Sequence, residues 1–111
     1  MHAAVAAFLL KDRALVDAVC KDSETAPIAP KEKALFRYLA RVNREPWTVR
    51  KEHVDALLAE GWTEKAVYDA ATVCAMFNFF NRWIDGLGVP DVPADLYAKR
   101  LQQFGDMGYA M

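Results

Sequence analysis

Apolar side chains recur along most of the chain at intervals of three and four residues, and no stretch alternates strictly between apolar and polar positions. The first spacing is typical of a helix with one buried face, whereas alternation would be typical of a strand. The glycines lie between the apolar-periodic segments or in the tail. The pattern therefore predicts an all-α helical bundle, and a length of 111 residues fits a single domain over 1–111.

Helix start and stop signals divide the chain into six segments. Asp12, Thr48 and Thr63 are residue types that cap helix N-termini, and Gly61 and Gly86 can adopt the backbone conformations that end helices. The predicted helices are 2–10, 13–20, 30–45, 49–60, 64–85 and 93–103, the last followed by a glycine-rich tail over 105–111 that we expect to pack loosely or against a neighbour.

Two of these segments have a clear inner face. In the third helix Arg37 and Arg41 are expected to lie opposite a buried stripe, which consists of Leu35, Phe36, Leu39 and Val42. In the last helix Leu96, Leu101 and Phe104 are expected to point inward.

The longest predicted helix is apolar on almost every side of its middle, over 70–83. A helix that is apolar all round is buried all round, and a domain this small rarely surrounds one completely. The sequence therefore predicts a homo-oligomer, a dimer or higher, assembled through this helix. The candidate structural and interface residues are Phe77, Asn78, Phe80, Asn81, Arg82 and Trp83.

The two amides of that helix need partners, because an unpaired buried amide costs about 1–3 kcal/mol. We expect Asn78 and Asn81 to cap or clamp a neighbouring helix by hydrogen bonds, and a role in orienting a substrate is the alternative. Arg82 is expected to pair with Asp85, three residues on, or with the same neighbour.

The charge distribution excludes several classes of partner. The net charge is −1 and no basic block is present, so the chain is not expected to bind nucleic acid. The longest uncharged stretch of the helical region, 70–81, is too short for a bilayer, which needs about 20 apolar residues. The apolar opening 3–10 continues as an amphipathic pattern and is interpreted as a helix rather than a signal peptide. A cytoplasmic, membrane-free protein is expected.

Few residues suggest chemistry. Cys20 and Cys74 are 54 positions apart, and neither lies at a helix N-terminus, where a thiolate would be stabilised. Cys74 is interpreted as a small buried apolar residue and His53 as a solvated surface residue. No metal-ligand spacing and no phosphate-binding glycine loop is present, so no metal and no cofactor is expected.

A motif at the end of the long helix resembles a known family. Residues 77–89 read Phe-Asn-x-x-Asn-Arg-x-x-Asp-Gly-Leu-Gly-Val. Upstream, 25–36 read Thr-Ala-Pro-Ile-Ala-Pro-Lys-Glu-Lys-Ala-Leu-Phe, and 54–63 read Val-Asp-Ala-Leu-Leu-Ala-Glu-Gly-Trp-Thr. Together these segments resemble the peroxidase-related branch of the carboxymuconolactone decarboxylase and alkylhydroperoxidase D superfamily. The resemblance covers about residues 2–90, leaving 91–111 as a C-terminal helix and tail.

The resemblance implies a cofactor-free thiol peroxidase, an antioxidant oxidoreductase that reduces hydroperoxides. In that family a Cys-x-x-Cys pair is followed four residues later by a relay histidine. His2 resembles that catalytic histidine, but neither Cys20 nor Cys74 matches a family cysteine. We therefore expect this chain to be a truncated or internally started product, or a short paralogue, and to be inactive alone.

Two other functions remain open. The chain could be a non-catalytic helical module for oligomerisation or protein interaction. A lactone decarboxylase-like enzyme would share the fold, but it would need a pocket with acid–base residues that the sequence does not indicate.

Overall fold

A computed structural model describes the backbone of residues 2–107 and the side chains of residues 2–104. This part of the chain contains six α-helices and one short 3-10 helix and has no strand, which confirms the all-α prediction. The α-helices are α1 His2–Leu10, α2 Arg13–Lys21, α3 Pro30–Arg44, α4 Lys51–Ala59, α5 Glu64–Gly86 and α6 Ala94–Met107, and the 3-10 helix is Pro46–Thr48.

The helices group into two compact units. One unit comprises residues 2–27 and 90–107 of the described chain, and the other comprises Ile28–Val89. In the first unit α1 packs against both α2 and α6. In the second unit α3 packs against α5 and α4, and α4 also contacts α5.

The first unit begins with two helices whose boundaries follow from local chemistry. The carboxylate of Asp12 accepts a hydrogen bond from the backbone N–H of Leu15 at 2.9 Å, as predicted for an N-cap. Val5, Ala7 and Val16 are buried. The last helix of this unit, α6, is longer than predicted. Its Leu96 is 43% exposed, so the prediction that Leu96 points inward was wrong.

The loop between α3 and α4 differs from the prediction. The hydroxyl of Thr48 donates to the carbonyl of Glu45 at 2.8 Å and so closes the 3-10 helix instead of capping α4. The N-cap of α4 is Arg50, whose backbone N–H donates to Nδ1 of His53 at 2.9 Å. The prediction failed here because the imidazole of His53 supplies the hydrogen bond that a threonine was expected to supply.

The start of α5 matches the prediction. Gly61 has a positive φ of 96°, which closes the preceding helix. Thr63 caps α5 by accepting a hydrogen bond from the N–H of Ala66 at 3.1 Å. The indole N–H of Trp62 donates to the carbonyl of Lys31 at 2.9 Å, which ties the start of α5 to the start of α3.

Burial within the second unit is lower than predicted. Leu57 and Val67 are its only fully buried apolar side chains among the described residues, at 2% and 4% exposure. The expected stripe of α3 is half-buried, and its Phe36 is 38% exposed. The middle of α5, predicted to be buried on every side, is largely exposed. None of the described helices combines the length and the hydrophobicity that a bilayer-crossing segment requires.

Candidate functional site

One face of α5 carries a continuous stripe of exposed apolar side chains, here called the α5 seam. Their exposures lie between 39% for Phe77 and 64% for Leu87. Exposed apolar patches of this kind mark interaction sites more often than isolated exposed residues do. The seam consists of Val73, Met76, Phe77, Phe80, Trp83, Ile84 and Leu87.

The seam follows from the sequence spacing. Its members recur every three or four residues, so at 3.6 residues per turn they fall within a stripe about 120° wide. Arg82 and Asp85 lie about 160° and 140° around the helix from Phe80. The stripe begins one turn after the ion pair between Lys65 and Asp69. No ionisable residue therefore lies within it.

A different face of α5 packs on the rest of its unit. Val67 is buried, and Cys74 and Asn78 are half-buried. The thiol of Cys74 donates to the carbonyl of Leu39 on α3, with 3.9 Å between sulfur and oxygen. Cys74 thus behaves as a small packing residue, less fully buried than predicted.

The polar residues of the motif form a chain of hydrogen bonds along α5. The amide N–H₂ of Asn78 donates to the carbonyl of Cys74 at 3.0 Å. Arg82 donates to the side-chain oxygen of Asn78 at 2.6 Å and to its carbonyl at 3.1 Å. The predicted clamp from Asn78 to a neighbouring helix and the predicted pairing of Arg82 with Asp85 are therefore replaced by bonds within one helix. Asn81 is exposed.

Aromatic contacts order one edge of the seam. The ring of Phe79 stacks on Trp83, with centroids 6.4 Å apart and planes 13° apart. It also meets Phe80 edge to face, with centroids 5.3 Å apart. These are preferred aromatic geometries, so contacts with Phe79 restrict the rings of both Phe80 and Trp83.

The residues of the described chain that the sequence offered for redox chemistry lie on three different helices. Cys20 is exposed on α2, Cys74 is half-buried on α5, and both are free thiols. His2 is exposed at the start of α1. Between residues 2 and 107 no three His, Cys, Asp or Glu residues are clustered so that they could hold a metal ion.

An exposed ion pair joins Arg13 and Asp17 on α2. The side-chain hydrogen bond with Asp17 raises the pKa of Arg13 above its ordinary value. The two side chains are 2.8 Å apart on an exposed face of α2, so the pair is an ordinary surface contact within one helix.

Sequence reasoning found part of the seam. The sequence prediction named Phe77, Phe80 and Trp83, and it included Val73 and Met76 as part of the apolar range 70–83. Ile84 and Leu87 were not selected. The signal that would have added them is the seven-residue interval from Val73 to Phe80 to Leu87, which is typical of a helix that pairs with another helix.

Comparison with known proteins gave no match among family models, curated proteins or solved structures. The function of the chain therefore has to be inferred from its own residues, and above all from the α5 seam.

Proposed function

We propose that this chain is a non-catalytic helical module that pairs with a second copy of itself through the α5 seam. The observation that carries the proposal is the exposure of Phe80 and Trp83, at 43% and 56%, in the centre of a stripe without charges. Burying such side chains against a partner is favourable by about 25 cal/mol per Å² of apolar surface.

The exposed area is close to what a stable dimer needs. A fully exposed large apolar side chain presents about 200 Å². The seven seam side chains are roughly half exposed, so together they present about 700 Å² per chain. A standard specific interface buries about 800 Å² on each partner. The seam alone therefore presents most of the area that a standard interface buries on one partner.

The arrangement of the seam favours a second copy over an unrelated partner. Phe77 and Trp83 lie three positions on either side of Phe80, and Met76 and Ile84 lie four positions on either side. The ends of the seam, 73 and 87, lie seven positions away in each direction. An antiparallel copy related by a two-fold axis near Phe80 would therefore meet apolar side chains at every position, as a self-complementary interface requires.

The setting proposed for this pair is the cytoplasm. The exposed free thiol of Cys20 supports a reducing compartment, because exposed thiols persist where disulfide formation is suppressed. The absence of a basic block in the sequence supports a module that does not act on nucleic acid.

Selective shielding of the seam tests the proposal. A soluble paramagnetic agent should broaden the NMR signals of exposed groups, and Tyr68, which is 71% exposed on another face of α5, provides an internal reference. In concentrated protein we expect the methyl groups of Ile84 to be protected while Tyr68 stays accessible. Dilution should make Ile84 accessible, because pairing follows mass action. If the accessibility of Ile84 relative to Tyr68 stayed the same at every concentration, the pair would be ruled out.

The peroxidase parentage is the second candidate, supported by the sequence resemblance over residues 2–90 and by the motif that ends α5. In that case the seam would be a subunit interface of a thiol peroxidase-like protein. The reaction itself requires a reactive thiolate next to its relay histidine. Cys20 and Cys74 do not have the spacing of that pair, so we propose that the chain itself does not catalyse the reaction.

We accordingly predict no turnover of an organic hydroperoxide by this chain with a dithiol reductant. The measured rate should equal the rate without protein. It should not change in Cys20→Ser or Cys74→Ser, because neither thiol is placed for the chemistry. A rate above background that is lost in one of these variants would establish a thiol peroxidase activity and contradict the non-catalytic proposal.

A further inference from the structure

A cleft of about 310 Å³ opens between α3 and α4 and is separate from the α5 seam. Its apolar lining comes from Ala34, Ala56 and the buried Leu57. Small residues at 34 and 56 leave room between the helices. The volume is at the lower end of the range for small-molecule sites, about 300–1,000 Å³.

One wall of the cleft carries an arginine that is held in place. A terminal N–H of Arg41 donates to the hydroxyl oxygen of Thr48 at 3.1 Å. The hydroxyl proton of Thr48 is used on the carbonyl of Glu45, so its oxygen is left as an acceptor for Arg41. A guanidinium has five N–H donors, and this contact uses one. Arg41 was predicted to lie on the outer side of α3, but it is half-buried at the cleft.

The facing wall carries a histidine with a defined tautomer. Nδ1 of His53 accepts the backbone N–H of Arg50 at 2.9 Å, so in the neutral ring the proton is on Nε2. Nε2 is therefore a donor. His53 was predicted to be a solvated surface residue, but it is half-buried and lines the cleft. Tyr38, also in the lining, adds a phenolic hydroxyl.

The charge balance of the lining is positive. Arg37 precedes Arg41 by one helical turn, and both line the cleft. Glu60 is the single carboxylate in the lining. The cleft thus combines cationic and hydrogen-bond donating groups with an apolar lining. This combination suits an anion that has an apolar body.

We propose that the α3–α4 cleft binds a small organic carboxylate. The planar guanidinium of Arg41 matches a carboxylate with two parallel N–H donors, and His53 and Tyr38 are the further donors. The apolar body of the ligand would lie against Leu57. This proposal is independent of the α5 seam, because no seam residue lines the cleft.

Benzoate is a suitable probe, and benzamide is its neutral analogue of the same size. Titration followed by NMR should give a saturable shift of the signals of His53 and Leu57 with benzoate and at least about tenfold weaker binding with benzamide, because charge-assisted hydrogen bonds are the stronger ones.

Arg41→Gln should weaken benzoate binding at least about tenfold, and Tyr38→Phe by roughly threefold to tenfold. Arg44→Gln is the matched control, because Arg44 lies on α3 but does not line the cleft.

Three results would overturn the carboxylate site. One is the absence of a saturable shift at His53 with benzoate. Another is equal binding of benzoate and benzamide. The third is an equal loss of binding in Arg41→Gln and Arg44→Gln, which would indicate a general surface charge effect. If Arg41→Gln does not fold, Tyr38→Phe and the benzamide comparison decide. Loss of self-pairing in a seam variant should leave benzoate binding unchanged.

Discussion

Replacing Phe80 by glutamate is expected to convert paired chains into single chains. Phe80 lies at the centre of the seam, and in a two-fold antiparallel pair it faces its own copy. Two carboxylates would then be brought together in an apolar interface, where a charge without a partner is costly. Central aromatic residues of interfaces commonly contribute 2 kcal/mol or more, so we expect Kd to rise at least about thirtyfold. Sedimentation velocity over a concentration series measures this change.

The matched control is Tyr68→Glu. Tyr68 is on the same helix and is more exposed, at 71%, but it lies about 120° around the helix from Phe80. The same charge is introduced there without entering the seam, and pairing should be retained. If both variants dissociate equally, or if neither does, the seam is not the pairing surface.

Replacing Leu57 by alanine is expected to give the largest loss of stability in the second unit. Leu57 is 2% exposed and lies where α4 packs within a unit that has few fully buried side chains. Truncating a buried leucine removes its transfer free energy and leaves a cavity, which together cost about 2–5 kcal/mol. Urea unfolding measures the loss, and the variants are compared at one protein concentration because the proposed pairing would add to apparent stability.

Leu58→Ala serves as the control for that substitution. Leu58 is the next residue on α4 and is half-buried, so less apolar contact is lost and the destabilisation should be clearly smaller. A loss for Leu57→Ala that does not exceed the loss for Leu58→Ala would mean that the core of this unit is not centred on Leu57.

Local chemistry made the helix boundaries predictable. Asp12 and Thr63 cap their helices through hydrogen bonds to backbone N–H groups three residues later, and these bonds depend only on neighbouring residues. The cap of α4 was predicted wrongly because neighbouring residues alone do not determine it. Both Thr48 and His53 can supply a cap, and only their tertiary surroundings, in which Thr48 binds Arg41, decide between them.

Burial could not be predicted with the same success, because it depends on which faces are covered. The composition of α5 indicated burial on all sides, whereas within one chain α3 and α4 cover only the face that includes Val67 and Cys74. The seam is the part of the surface of α5 that neither α3 nor α4 covers. The cleft was missed because Arg41 and His53 each look like surface residues on their own helix, and only the packing of α3 against α4 brings them to one cleft.

The motif that suggested a family now has a structural description. Asn78 and Arg82 form a hydrogen-bonded ladder about 160° around α5 from Phe80, on the side of the helix roughly opposite the seam. Arg82 thereby satisfies the side-chain oxygen of Asn78 next to an apolar surface, which lowers the cost of placing an amide there. These bonds join successive turns of α5 and reach no neighbouring helix.

The mass of the unmodified chain in solution tests the central claim most directly. Light scattering at micromolar to millimolar concentrations should give about twice the chain mass of 12.5 kDa, falling toward 12.5 kDa on dilution as the pair dissociates. A mass of 12.5 kDa at every concentration would contradict the proposal that the α5 seam pairs with a second copy.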